Sequence, residues 1–121
     1  MSELIIKKCA HCGEIVKVIK DEGCDIICCG EPMKTLVPNS VDAAVEKHVP
    51  MIEVQGDKVL VTVNHVMEDD HYIEWVSIEN DKQSCTKYFK PGEKAETHFK
   101  NIPGSTIYAY CNKHGLWKKE I

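Results

Sequence analysis

Short runs of β-branched and aromatic residues recur through the last two thirds of the chain, separated by polar turn residues. The clearest runs are residues 59–63, 72–78 and 106–110. Glycine, proline, asparagine and aspartate punctuate them at 56–57, 80–81, 91–92 and 103–104. Runs of this composition between such turn signals are typical of β-strands. The pattern predicts an antiparallel sandwich or barrel, with one short helix at 40–45 for which Ser40 is the N-cap.

The first segment of the chain differs from the rest. Five of its residues between Cys9 and Cys29 are cysteines, and a stretch at 32–40 with two prolines and a polar end predicts a linker. We therefore expect two domains, 1–37 and 38–121. A segment this short cannot bury a sufficient core, so it requires a metal or a partner chain in order to fold.

Composition restricts the classes of function. The 121 residues are 43% hydrophobic and carry a formal net charge of -4, without a Lys/Arg-rich stretch, so we expect no nucleic-acid partner. The beginning of the chain lacks the apolar core of a signal peptide, and no run is long enough to span a bilayer. These features predict a cytoplasmic protein without a membrane association. In a reducing compartment, seven cysteines favour metal ligation over disulfides.

The cysteines of the first segment form two pairs, Cys9-x-x-Cys12 and Cys28-Cys29. Together they predict a tetrahedral Cys₄ site suited to zinc or to a mononuclear iron–sulfur centre. Neighbouring sulfurs cannot both adopt a relaxed knuckle geometry, so the tetrahedron should be distorted. We expect Cys24 to be a small, partly buried apolar residue. His11 should be an exposed position of the knuckle, since four thiolates complete the tetrahedron.

A second set of metal-binding residue types lies in the later domain, and it can be interpreted in two ways. The set is His48, His65, His71, Cys111 and His114. Four imidazoles and one thiolate leave an octahedral metal one open position, and this ligand mixture suits iron or copper better than magnesium or calcium. A small substrate could bind and react at that position. The alternative is a set of unrelated loop histidines. His98 belongs to no motif, and we expect it to be a surface residue.

These motifs, in this order, resemble those of desulfoferrodoxin, the two-iron class of superoxide reductase. The matching segments are Cys9-x-x-Cys12, 28–33, 46–50, His65 and His71 ahead of 73–75, and 111–117. One departure is Val66, where the family commonly has proline. The resemblance implies a mostly β protein: a small N-terminal desulforedoxin-like metal domain, followed by an immunoglobulin-like antiparallel β-sandwich.

The resemblance also implies the cofactors. It implies Fe(Cys)₄ in the small domain, for which zinc remains an alternative. In the large domain it implies a mononuclear iron with His48, His65, His71 and His114 in the plane and Cys111 axial. Glu46 would occupy the sixth position of the resting oxidised iron.

The implied function is one-electron reduction of superoxide to hydrogen peroxide, with the Cys₄ iron as an accessory electron centre. Lys47, beside His48, is the best-placed cation to attract the anionic substrate. The implied donor is a rubredoxin-like carrier, and the implied assembly is a homodimer, for which segments 5–6 and 16–19 offer strand edges. The alternatives are a non-catalytic iron electron carrier or redox sensor, and a structural zinc protein with a β-sandwich binding module. The sequence leaves open the metal in each site, the donor and the reduction potentials.

Six further residues have simpler expected roles. We expect Cys85 to pack within a strand, Trp75 and Trp117 to lie in the sandwich core, and the acidic residues 68–70 to form a solvated loop.

Overall fold

The computed structural model describes residues 4–121 and divides them into two compact units. The chain passes from the first unit to the second between Val37 and Pro38. No helix among the described residues has the length and apolar character needed to cross a membrane.

The small unit is built from five short strands. They are β1 (Ile5–Lys8), β2 (Ile15–Val18), β3 (Ile27–Cys28), β4 (Glu31–Pro32) and β5 (Lys34–Thr35). Strand β1 lies between β2 and β5 in an antiparallel sheet, and β3 pairs with β4. Among its described residues only Ile6, Cys9 and Met33 are buried hydrophobics. So small a core leaves the unit dependent on further stabilisation.

The strand edges differ from the expectation. Of the two segments expected to offer open edges, the one at 5–6 belongs to β1, which is paired on both sides. The segment at 16–19 lies mostly in β2, which is an edge strand of that sheet, and β5 forms the opposite edge.

The large unit contains one short helix and seven strands. They are α1 (Val45–His48), β6 (Met51–Gln55), β7 (Lys58–Thr62), β8 (Ile73–Glu79), β9 (Ser84–Tyr88), β10 (Glu96–Lys100), β11 (Thr106–Cys111) and β12 (Gly115–Glu120). The strand orders β10-β7-β6 and β12-β11-β8-β9 give two antiparallel sheets. The expected mostly β fold with an immunoglobulin-like antiparallel β-sandwich is confirmed.

One hydrophobic cluster joins the two sheets of the large unit. Val59 and Val61 of β7 enter it from one sheet, and Val76 and Ile78 of β8 from the other. Because successive side chains of a strand point to opposite faces, each strand contributes every second residue. Cys85 packs against this cluster, as expected.

The short helix lies five residues later than expected. Helix α1 begins at Val45 after an N-cap at Ala44, which forms no side-chain cap hydrogen bond. The segment preceding it is tied to β12 instead: the Asn39 N–H donates to the Leu116 carbonyl (2.9 Å), and Asn39 Oδ1 accepts the Lys118 N–H (2.9 Å). These strand-like contacts compete with helix formation around Ser40.

Two burial expectations were also wrong. Cys24 is exposed rather than partly buried, and Trp75 is only half-buried. Trp75 stacks on Tyr110, with ring centroids 5.7 Å apart, because the two residues are partners in the β8–β11 ladder. Trp117 is buried, as expected, and the acidic loop at 68–70 is exposed.

Candidate metal centres

Four histidines and one cysteine of the large unit converge at one end of the sandwich. His48 is the last residue of α1, Cys111 is the last residue of β11, and the other three histidines lie in loops that leave β7 and β11. The metal-binding atoms of the five side chains all lie within 4.8 Å of one another. The set is His48, His65, His71, Cys111 and His114. The structure thus brings together residues that are up to 66 positions apart in sequence.

Two of the imidazoles are oriented by backbone carbonyls. His48 Nδ1 lies 2.7 Å from the Ala44 carbonyl, and His65 Nδ1 contacts the carbonyl of Val66. A carbonyl only accepts, so each Nδ1 carries the proton and each Nε2 retains a lone pair. Carbonyl contacts of this kind are typical of metal-binding histidines. Burial is the main cause that lowers the pKa of His48 and of His65, which favours the neutral, ligating form.

The nitrogens so oriented face the remaining members of the group. His48 Nε2 lies 3.0 Å from His114 Nδ1, and Cys111 Sγ lies 3.4 Å from His65 Nε2. His71 Nε2 is buried and has no hydrogen-bond partner among the described residues. A buried polar atom without a partner is costly, and a metal ion at the centre would satisfy it. The donor set and this orphaned nitrogen therefore fit an iron ion.

The cysteine is the most enclosed residue of the set. Cys111 has 0% exposure and His48 has 4%, whereas the other three histidines are half-buried. The backbone N–H of His114 donates to Cys111 Sγ at 3.4 Å, within the turn that joins β11 to β12. Gly115 closes this turn with φ +80°, and a Cβ there would lie 3.3 Å from a Val41 methyl group. Position 115 therefore favours glycine on both grounds.

Trp117 holds two members of the group, a role that the sequence interpretation missed. Its Nε1–H donates to the carbonyl of His114 at 3.0 Å, and its ring stacks on His48. The signals in the sequence are its position three residues after His114 and its place at the end of the matched family segment 111–117.

Helix α1 also carries the two charged residues expected to serve the site. Glu46 and Lys47 are exposed beside the buried His48. Burial is the main cause that lowers the pKa of His48. The Glu46 carboxylate has a smaller effect and raises that pKa. Within residues 4–121, Lys47 takes part in no ion pair, so its charge is not offset by a direct contact.

The four cysteines of the small unit form the second group. The sulfurs of Cys9, Cys12, Cys28 and Cys29 lie within 4.8 Å of one another. Backbone N–H groups of Cys12 and His11 stabilise the Cys9 thiolate and lower the pKa of Cys9 to about 6. The neighbouring Cys9 is the main cause that raises the pKa of Cys28 and of Cys29. Four sulfurs with at least one favoured thiolate fit a tetrahedral metal site.

The geometry of the cysteine pairs reflects their spacing. Cys12 Sγ lies 3.6 Å from Cys28 Sγ, and Cys29 adopts φ +52°, which is uncommon for a residue other than glycine. This left-handed conformation allows adjacent cysteines to direct both sulfurs into one group. His11 is exposed and contacts Glu31 at 3.0 Å, and Cys24 lies outside the group.

Comparison with known proteins supports these assignments. The family model described as "Desulfoferrodoxin" matches residues 40–120, and "Desulfoferrodoxin, N-terminal domain" matches residues 3–36. The desulfoferrodoxin of Nitratidesulfovibrio vulgaris is 48% identical over 120 residues, which cover 95% of this chain and 94% of that protein. A protein of Pyrococcus abyssi named superoxide reductase is 33% identical over 63% of this chain and 86% of its own length.

A solved structure resembles the whole chain. The superoxide reductase from Treponema pallidum superposes with a TM-score of 0.75 at 29% sequence identity, covering 98% of this chain and 100% of that one. The chain's four-cysteine cluster and its group of four histidines and one cysteine match the iron centres of desulfoferrodoxin. Both family models match the chain, and one relative is 48% identical to it over 120 residues. The chain therefore belongs to the desulfoferrodoxin family.

Proposed function

We propose that this oxidoreductase is a superoxide reductase, which reduces superoxide to hydrogen peroxide by one electron and releases no dioxygen. The observation that carries the proposal is the convergence of four imidazole nitrogens and one buried cysteine sulfur, all within 4.8 Å of one another. The names of the Pyrococcus abyssi and Treponema pallidum proteins support it. The overall reaction takes superoxide, one electron and two protons to one molecule of hydrogen peroxide.

The residues that would hold the catalytic iron are His48, His65, His71, Cys111 and His114. When bound there, the iron supplies one-electron reduction at an open coordination position, and thiolate ligation tunes its reactivity. Cys111 is enclosed, whereas three of the histidines are half-exposed. A small anion therefore reaches the group over the imidazoles and not past the thiolate.

The chain's own residues account for attraction of the anionic substrate. The formal net charge of -4 repels superoxide at long range, so a local cation is required near the site. Lys47 is exposed and adjacent to the buried His48 in α1. We assign it the attraction of superoxide, and we assign Glu46 as the carboxylate that approaches the site in the resting oxidised protein. Water supplies the protons.

The remaining parts of the proposal concern electron supply and assembly. Cys9, Cys12, Cys28 and Cys29 would hold the accessory iron in a domain spanning 1–37, and residues 38–121 would form the catalytic domain. A rubredoxin-like carrier would donate electrons to this cytoplasmic protein. The chain would act as a homodimer, because the small unit buries few hydrophobic residues and β2 offers an edge. Light scattering that gave a monomer mass would contradict the dimer.

Product stoichiometry tests the proposed reaction. Superoxide is generated by pulse radiolysis in the presence of the iron-loaded, reduced protein, and hydrogen peroxide and dioxygen are measured. We expect one peroxide per superoxide consumed and no dioxygen from superoxide. A yield of one peroxide per two superoxides, with dioxygen release, would indicate dismutation instead. His98→Ala is a matched control, because His98 is exposed and lies outside the ligand group.

A further inference from the structure

Asn112 lies between two of the proposed ligands, Cys111 and His114, and its side chain points to a third ligand's loop. Its Oδ1 accepts the backbone N–H of Tyr72 at 3.0 Å, and its Nδ2 donates to the carbonyl of Asp70 at 3.0 Å. Its own backbone N–H donates to the Tyr72 carbonyl at 3.3 Å. One residue thus contacts the backbone on both sides of His71.

The orientation of the Asn112 amide is fixed by its partners. A backbone N–H can only donate and a carbonyl can only accept, so the oxygen must face Tyr72 and the nitrogen must face Asp70. Both polar ends of the side chain are satisfied in this orientation.

The β-ladder explains why such a contact is needed at this position. The pairing of β11 with β8 shifts register between Tyr110 and Cys111, where Cys111 opposes Ile73. Regular strand pairing ends at this bulge, one residue before Asn112. Bulges of this kind redirect side chains near functional sites. Beyond the bulge, one backbone hydrogen bond from Asn112 to Tyr72 remains, and the Asn112 side chain adds two more.

The other contacts of the His71 loop act away from His71: the Gly92 N–H donates to the Met67 carbonyl at 2.7 Å, and the Ile73 N–H contacts Met67 Sδ at 3.5 Å. Reciprocal backbone hydrogen bonds between Glu68 and His71, of 2.9 and 3.2 Å, shape the loop internally. The Lys113–Asp70 ion pair spans the gap at 3.7 Å, but both side chains are more than half exposed. Exposed ion pairs of this kind contribute little.

We propose that Asn112 is a positioning residue, which fixes His71 relative to Cys111 and thereby sets the affinity of the site for iron. The inference rests on the ligand set in the proposed function, but not on superoxide as the substrate. Residues that orient metal ligands typically change metal affinity by about 10–100-fold when they are replaced. Removal of the amide leaves the backbone hydrogen bond from Asn112 to Tyr72 and the weak ion pair, so the Asp70 side of His71 loses its hydrogen bond to the turn that carries Cys111 and His114.

The test compares the full-length variants Asn112→Ala and Asn101→Ala. Asn101 is a matched control, because its Nδ2 also donates to a loop carbonyl, that of Gly56 at 3.3 Å, far in sequence from the ligands. Ferrous protein is titrated with a chelator, and iron at the two sites is followed separately by absorption after oxidation. The tetrathiolate bands serve as the internal reference.

We expect Asn112→Ala to raise the dissociation constant of the histidine–cysteine site by about 10–100-fold. Its tetrathiolate bands should remain unchanged, and Asn101→Ala should bind iron as the wild type does. Thermal unfolding of the metal-free variants separates this effect from general destabilisation. Iron affinity in Asn112→Ala equal to that of Asn101→Ala would overturn the inference.

Two further variants cover the remaining outcomes. If Asn112→Ala does not fold, Asn112→Asp retains the acceptor for Tyr72 and replaces the donor to Asp70 with a negatively charged acceptor. Wild-type iron affinity in that variant would overturn the inference. His71→Ala tests the ligand set itself. If His71→Ala loses iron and the Asn112 variants do not, the positioning role is refuted and the ligand set stands. If neither His71→Ala nor the Asn112 variants lose iron, the ligand set is refuted as well.

Discussion

The indole ring of Trp117 stacks on the imidazole of His48, with ring centroids 4.9 Å apart and 25° between the planes. The same indole donates its N–H to the carbonyl of His114 at 3.0 Å. A single buried side chain on β12 thus supports ligands that come from α1 and from the β11–β12 turn. A phenylalanine at this position would remove the hydrogen bond to His114 and keep an aromatic ring against His48.

Trp117→Phe should weaken iron binding at the histidine–cysteine site. Phenylalanine retains an aromatic ring against His48 but lacks the N–H that fixes the His114 carbonyl. We expect a loss of iron affinity of about tenfold, at the low end for residues that orient ligands. Chelator titration followed by visible absorption measures it. Trp75→Phe is the control, because Trp75 stacks on Tyr110 and belongs to no ligand contact. Equal iron affinity in the two variants would contradict a specific role for Trp117.

The sequence predicted the strands and the ligand groups well, for identifiable physical reasons. The alternation of valines at 59, 61 and 63 is local, so it could be interpreted without knowledge of the partner strand. The ligands were found because cysteine and histidine at these spacings, together with a family resemblance, leave few other roles. The structure groups the same nine residues that the sequence indicated.

The errors concern features that depend on distant parts of the chain. Helix α1 begins after Ala44 because the segment around Asn39 is hydrogen-bonded to β12, 79 positions away. Trp117 is buried, as expected, but its contacts with His48 and His114 were missed, because a buried tryptophan gives no local sign of the residues it contacts. Cys24 lies in a unit with few buried residues, so the usual burial of cysteine did not apply.

Replacement of Cys111 should abolish turnover while iron still binds. In Cys111→Ser the four histidines remain, so we expect iron to be retained with lower affinity. The thiolate-to-iron charge-transfer absorption should disappear, and nearly all superoxide reduction should be lost with it. Cys85→Ser is the matched control, since Cys85 packs against the core and belongs to neither metal group. An unchanged oxidised spectrum in Cys111→Ser would show that the assigned thiolate ligand is wrong.

Removal of the tetrathiolate group should leave the reductase reaction largely intact. Cys12 and Cys28 lie in the small unit, and the proposed catalytic ligands all lie in the large one. In Cys12→Ser or Cys28→Ser we expect loss of the tetrathiolate bands and a rate constant with superoxide within about twofold of the wild type, since the ligands and local charge are unchanged. Cys24→Ser should retain those bands. Loss of superoxide reduction in a folded Cys12→Ser variant that retains catalytic iron would contradict the accessory role.

Lys47 should control the rate at which superoxide reaches the site. Lys47 is exposed beside His48 without an ion-pair partner among the described residues, whereas Lys113 lies between two ligands but contacts Asp70 at 3.7 Å. Local fields raise association rates by about 10–10³-fold, and salt screens them. Lys47→Ala should therefore slow the second-order reaction by about tenfold or more and flatten its dependence on ionic strength, with the oxidised spectrum nearly unchanged. Lys113→Ala should have the smaller effect, because Asp70 already offsets part of its charge. Pulse radiolysis at several salt concentrations distinguishes the Lys47 and Lys113 variants. A wild-type rate and salt dependence in Lys47→Ala would show that Lys47 is an ordinary surface lysine.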